Sequence, residues 1–348
     1  MNMSGDLKDD FFRNLVEDMK DEDTSIMADG QGASEYSGTI DTGSYMLNAI
    51  LSGSIYGGVP DNKVTAFAGE TATGKTFFVL GVAKQFLKDN PTGGIVYYDT
   101  EAAVTKQMME ERGVDTSRVI ISEPDTIQKF RTHALKTIDM YAQTPKESRP
   151  PMLFILDSLG LLSTEKELAD STEGKDVRDM TKSQLVKGTF RVLTLKLAKI
   201  GVPMIVTNHV YEVIGSYMPQ KEMGGGSGLK YAASTIAYLS KKKVRDGTDK
   251  SSITGIIIKA KMFKSRISKE NAQAEVLLSY NEGLDRYYGL LEFGEKHGIF
   301  KKAGNRYEIG ESKLYSKQIL NDPIKYFTKE VLDQLDQAAQ QEFSYGNI

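Results

Sequence analysis

The sequence predicts an α/β protein: a mostly parallel, doubly wound sheet with antiparallel edge strands, preceded by a short helix and followed by a small lobe. Three observations lead there. From about residue 40 to 283, short β-rich runs alternate with helical periodicity. A glycine-bounded loop, residues 69–76, sits between a buried-strand run and a helical one. The chain of 348 residues is long enough for about two domains, or for one large α/β core with appendages.

Residues 6–20 place Leu7, Phe11, Leu15 and Met19 at spacings of four, with Phe12 and Val16 beside them, so one face of a helix is apolar. A lone helix of this length is marginal in water, so it packs on its own core or on a neighbouring subunit. Residues 21–38 carry turn formers and few large apolar groups, the composition of a flexible linker. Strands are expected at 64–68, 95–99, 119–122, 152–157 and 203–208, and Phe190, Leu193, Leu197 and Ile200 recur at helical spacing before the last of them. The runs 235–239, 255–260 and 275–279 leave no room for helices between them and are expected to pair as antiparallel edge strands. Beyond Gly283 the pattern is local and mixed, although Asp322, Pro323 and the helical run 329–343 indicate a folded end. The expected organisation is therefore an acidic helix and linker (1–39) making a subunit contact, a core (40–283) and a small C-terminal lobe (284–348). No internal repeat is seen.

With 40% apolar and 26% charged residues, the composition is that of a globular protein rather than a disordered, collagen-like or coiled-coil chain. The longest apolar run, residues 152–156, falls far short of the ~18 residues that span a bilayer. The acidic first 20 residues lack the apolar stretch of a secretory signal. Zero cysteines remove disulfides, thiolate metal sites and Cys nucleophiles, and fit a reducing interior. His133, His209 and His297 are too scattered to suggest a histidine-built metal site. The net charge of −3 hides an uneven distribution. Residues 1–41 hold eleven acids against three bases, whereas residues 241–269 hold ten bases against Asp246 and Asp249. One stretch repels polyanions and the other attracts them, unless each is simply a solvated face.

Gly69, Glu70, Thr71, Ala72, Thr73, Gly74, Lys75 and Thr76 fit GxxxxGK(S/T), and Phe77 opens the helix that follows. Such a loop points consecutive backbone N–H groups at phosphate oxygens, where the helix dipole also favours an anion. Lys75 then reaches the β- and γ-phosphates, and the Thr76 hydroxyl is a ligand for Mg²⁺. The apolar strand 152–157 ends in Asp157, a carboxylate on the far side of the magnesium. Glu101 lies just beyond the 95–99 strand, which is expected beside the phosphate-loop strand, and could orient the attacking water; a surface Glu capping the next helix is the other reading.

Thr42, Gly43 and Ser44, the phosphate loop, Tyr98 to Glu101, and Leu156 to Ser158 stand in the order and spacing of the RecA-type recombinases. Asn208 to Glu212, Met223 to Gly228, and Lys264 to Arg266 resemble more narrowly the strand-exchange branch found in tailed phages, and the resemblance covers about residues 40–295. It implies a RecA-like core, ATP and Mg²⁺ as nucleotide and cofactor, Glu101 as activator of water, and His209 as a sensor of the γ-phosphate. It implies DNA-binding loops at about 163–179 and 211–230, the second containing Gly224, Gly225, Gly226, Gly228 and Lys230. Both stretches are poor in strand or helix pattern, as plain surface loops also are. Glycines there would let backbone N–H groups approach a phosphodiester chain closely. Lys264 and Arg266 align with the basic pair that reaches a neighbour's γ-phosphate in this family; a basic hairpin touching nucleic acid is the alternative. Thr105 and Met108 stand where bacterial members present Asp and Tyr near the adenine.

The expected function is a DNA-dependent ATPase that forms helical filaments on single-stranded DNA and catalyses pairing and strand exchange with homologous duplex DNA. Loader and single-strand-binding proteins are the implied accessory partners, and the cytoplasm of an infected bacterial host the implied setting. A ring-shaped motor shares the core, but only about 40 residues precede it here. A nucleotide-switched scaffold without strand exchange is the second rival, weighed against by the basic segment and the glycine loop. No LSGGQ-like sequence points to a transporter ATPase.

Overall fold

The computed structural model describes residues 3–21, 24–29, 35, 38–175, 179–212, 221–245, 253–280, 283–309 and 312–346. Side chains of residues 3–10, 212, 221, 243–245, 253 and 254 are outside that description, as are the expected loop positions 176–178 and 213–220.

One ten-stranded sheet organises the chain. Its order is Gly283–Leu284, Gln273–Ser279, Ile253–Ser265, Thr235–Arg245, Val64–Gly69, Met204–Glu212, Met152–Asp157, Gly94–Asp99 and Val119–Ser122, with Lys221–Met223 paired to Met204–Glu212. From Thr235–Arg245 to Val119–Ser122 the pairing is parallel. The central strands read as unbroken apolar runs because helices cover both faces. Helices Tyr45–Ser52 and Lys75–Asp89 pack with Phe67, Ile95 and Ile155 on one side, and Ile127–Gln143 and Lys182–Ile200 pack with Val96, Phe154 and Val206 on the other. This is the doubly wound arrangement the sequence predicts.

Two expectations about strand neighbours change. Gly94–Asp99 is not beside the phosphate-loop strand; Met152–Asp157 and Met204–Glu212 lie between them. Of the three expected edge strands, Ile253–Ser265 and Gln273–Ser279 are antiparallel, but Thr235–Arg245 is interior and pairs in parallel with Val64–Gly69 on its other side. The physical reason is a crossover: the chain returns through helix Gly228–Ala232 to the start of the sheet before Thr235 enters it.

The N-terminal helix runs Met3–Met19, and Arg13 pairs with Asp29 of the turn Met27–Asp29 at 3.2 Å. Its stripe stays in solvent: Phe11 is 62% exposed and Met19 54%. At the other end, strands Lys301–Ala303, Arg306–Ile309 and Ser312–Tyr315 form a small antiparallel sheet, and Pro323 opens the short helix Pro323–Tyr326. Helix Lys329–Phe343 matches its expected span. Tyr307, Phe327, Leu335 and Phe343 belong to the same apolar cluster as Leu47, Ile50 and Phe78, so this end closes the main core rather than building its own.

The buried Asp336 carboxylate pins the last helix, accepting from Ser54 Oγ at 2.6 Å and from the Ile55 backbone N–H at 2.9 Å. Asp336→Ala orphans that buried N–H and removes charge-assisted bonds. It is expected to cost about 1.5–3 kcal/mol, read as a lower urea midpoint with an unchanged slope.

Candidate active site

Strand Val64–Gly69 ends at the phosphate loop, and helix Lys75–Asp89 starts from Gly74, whose φ of +85° only glycine adopts readily. A Cβ there would also crowd Ile258 at 3.1 Å. Lys75 is buried, and its Nζ donates to the carbonyls of Gly69 at 3.0 Å and Glu70 at 2.9 Å. Burial pushes its pKa down, against the pull of Glu101 and Asp157. Thr73 Oγ1 donates to the Glu70 carbonyl at 2.8 Å. Thr71 and Ala72 are exposed at the tip, and Phe77 is half-buried just inside the helix.

Asp157 collects three hydroxyls: Thr76 Oγ1 and Tyr97 OH at 2.8 Å each, and Thr207 Oγ1. The Thr76 hydroxyl and Asp157 Oδ2 therefore face each other directly above the loop. A hydroxyl and a carboxylate oxygen so placed fit a small hard cation such as Mg²⁺ that also contacts a triphosphate.

Glu101 reaches this centre although two strands separate its own from the phosphate-loop strand. Thr100 hooks over the end of Met152–Asp157, its N–H donating to the Asp157 carbonyl at 2.9 Å and its hydroxyl to the Ser158 carbonyl at 2.7 Å. Buried Asp99 shapes the turn by accepting from the N–H groups of Glu101, Ala103 and Val104 at 2.9–3.0 Å. The Glu101 carboxylate then accepts from Ser158 Oγ at 2.8 Å and meets His209 Nε2 at 3.0 Å. Partial burial opposes its charge, but Ser158, His209 and Lys75 outweigh that and hold its pKa below the ordinary range. His209 is level with Gly69 in the sheet, so loop, carboxylate and imidazole converge.

The described parts of the two expected DNA loops hold more regular structure than their sequences suggest. Within 163–179, Thr164 and Glu167 form a reciprocal capping box that starts helix Glu165–Thr172. The Asp179 carboxylate accepts from Thr181 Oγ1 and Thr164 Oγ1 at 2.7 Å each and from the Thr181 N–H at 2.8 Å, bonds that lower its pKa to about 2. Within 211–230, Lys221–Met223 pairs back onto Val210–Glu212, and the chain turns through Gly224, Gly225 and Gly226 into helix Gly228–Ala232. Gly228 is needed for packing inside the chain: a Cβ would lie 2.7 Å from the Lys187 backbone N. Lys230 stands over the ring of Phe263, with Nζ 5.6 Å from its centroid.

Lys264 caps that short helix, its Nζ donating to the carbonyls of Lys230 at 2.6 Å and Ala233 at 2.7 Å, and burial lowers its pKa. Arg266 is exposed beside it. Ser265 is level with Thr235 and hence with Thr65, four residues below Gly69. At about 3.3 Å per residue that is about 13 Å, on the opposite edge of the sheet from the chain's own phosphate loop.

The family model of the RecA N-terminal domain matches residues 15–285. This chain belongs to the RecA family. Similar relatives include the recombination and repair protein of Enterobacteria phage T4, 30% identical over 260 residues, which are 75% of this chain and 64% of that protein. Protein RecA of Streptomyces venezuelae is 26% identical over 333 residues, 92% of this chain and 81% of the relative. Protein RecA of Clavibacter michiganensis is 29% identical over 312 residues, 86% of this chain and 80% of the relative. The chain thus aligns with less than two thirds of the phage protein's length.

In this RecA-family chain Thr105 caps helix Lys106–Glu111 by accepting from the Met108 N–H at 3.1 Å, and Met108 packs half-buried against the core. Sequence reasoning assigned no role to Asp99, Tyr97 or Thr207, which position Glu101 and Asp157. An Asp ending the 94–99 strand was the available signal. Lys241 was expected only to help draw in a polyanion; its Nζ in fact meets the carbonyl of Ala72 at 2.5 Å and so ties the basic strand to the tip of the phosphate loop.

Proposed function

We propose that the chain is a DNA-dependent ATPase that polymerises on single-stranded DNA as a helical filament and catalyses homologous pairing and strand exchange. The contact between Glu101 and His209 carries this reading. It joins the carboxylate suited to activate water to the strand whose end is bonded to the glycine turn, His209 accepting at its carbonyl from the Gly224 N–H.

In this mechanism the loop N–H groups of residues 70–76 and the Lys75 ammonium hold the triphosphate. Thr76 and Asp157 would hold Mg²⁺, which supplies charge neutralisation at the β- and γ-phosphates. Glu101, kept ionised by Ser158 and His209, accepts the proton of the attacking water. A γ-phosphate competes with Glu101 for His209, so nucleotide state shifts the strand end that continues to Gly224. Gly224, Gly225, Gly226, Gly228 and Lys230 form the return limb of the loop that grips DNA, and the basic stretch 241–269 draws the polyanion in.

Arg266 and Lys264 act on a neighbour's phosphate, a role their distance from their own loop supports. The exposed stripe of Met3–Met19 docks on an adjacent subunit. Loader and single-strand-binding proteins would assist assembly in an infected host. Among the described residues no helix is long and apolar enough to cross a membrane.

Electron microscopy with single-stranded DNA and a slowly hydrolysed ATP analogue is expected to show helical filaments, shortened by Phe11→Asp. Closed rings would favour the motor reading, and bare DNA would overturn both.

A further inference from the structure

We propose that Asn208 is the positioning residue that couples the nucleotide site to both loops at once; this rests on the reading of Glu101 and the loops given above. Asn208 is fully buried near the carboxyl end of the parallel strands, level with Ala68. Its Oδ1 accepts from the His209 backbone N–H at 2.9 Å, and its Nδ2 donates to the Gly224 carbonyl at 2.8 Å. The Gly224 N–H returns a bond to the His209 carbonyl at 3.0 Å. The backbone of the residue that holds Glu101 is thus stitched to the return limb of the second loop, largely through one side chain.

A third segment meets the same amide. Gly160 lies just past Asp157 on the way to the first loop, and a Cβ there would stand 3.0 Å from Asn208 Oδ1 and 3.5 Å from His209 Cδ2. A Cβ on Gly224 would stand 3.3 Å from the same oxygen and 3.5 Å from Gly160 Cα. Three chain segments therefore approach one another closely at this point. A cavity of about 610 Å³ borders the junction, lined from the first loop by Asp179 and from the second by Tyr211 and Gly224.

The chemistry requires an amide. Asparagine supplies one acceptor and one donor without a charge, so it can be buried with both bonds made. Aspartate would keep the bond from His209 but could not donate to Gly224. A strand of DNA that displaces Gly224 pulls Nδ2, and Oδ1 carries the displacement to His209 and hence to Glu101. By linkage, nucleotide state must then change DNA affinity by the same factor by which DNA changes nucleotide affinity.

The test uses full-length protein and two ratios: stimulation of ATP hydrolysis by oligo-dT, and oligo-dT affinity with a slowly hydrolysed ATP analogue relative to ADP. Asn208→Asp and Gly160→Ala are expected to keep the affinity for a fluorescent nucleotide within about twofold while both ratios fall about tenfold or more, a loss that mere destabilisation would not divide in this way. Ratios within about twofold of wild type in both variants would overturn the proposal. A wild-type protein whose DNA affinity ignores the nucleotide would instead overturn the reading of the loops, and this inference with it.

Discussion

Lys75→Ala is expected to lower ATP turnover, with saturating single-stranded DNA, by about 10²–10³ or more, measured as phosphate release. The lysine is buried at the base of the phosphate loop, and its ammonium donates to the carbonyls of Gly69 and Glu70. Those carbonyls hold it where phosphate oxygens of a bound triphosphate would take over its bonds. Its loss removes charge stabilisation at the reacting phosphate and leaves the strand and helix on either side intact. Unchanged circular dichroism together with lost turnover is therefore the expected pair of observations. Turnover within about tenfold of wild type would place the reacting phosphate elsewhere.

Arg266→Ala is expected to cost about 10³-fold or more, the scale of a cation supplied to a transferring phosphoryl group from outside. Strand register is the reason to read it as acting on another copy: Arg266 follows Ser265, which is level with Thr65 at the far edge of the sheet. The distinctive outcome comes from mixing. Lys75→Ala subunits retain a good arginine and Arg266→Ala subunits retain a good loop, so mixed filaments form some complete sites. Turnover should rise above either variant alone at intermediate ratios. Additive behaviour at every ratio would confine Arg266 to its own subunit.

The phosphate loop, Asp157 and the strand-helix alternation were legible because each is encoded by residues close in sequence. Family likeness gave Glu101 and His209 separate roles at the γ-phosphate, and their meeting was not anticipated, since it depends on the order of strands. The expectation that Gly94–Asp99 neighbours the phosphate loop failed for that reason: adjacency in a sheet is set by crossovers that no local pattern reports. Helix Glu165–Thr172 was legible and passed over, since Thr164 and Glu167 spell a capping box. The role of Lys264 as a cap was not legible, because its acceptors lie about thirty residues earlier in the chain. The small C-terminal sheet escaped notice because strands of three or four residues carry too little alternation to stand out.

The way the chain ends also bears on how it can be handled. Phe343 and Leu335 sit in one apolar interior with Ile50, and Asp336 is bonded to Ile55. Cutting the polypeptide before residue 329 would not trim an ornament; it would uncover greasy surface next to the ATPase fold. Shortened versions should therefore clump or melt early, and a purification handle belongs beyond Tyr345 rather than in place of the closing helix.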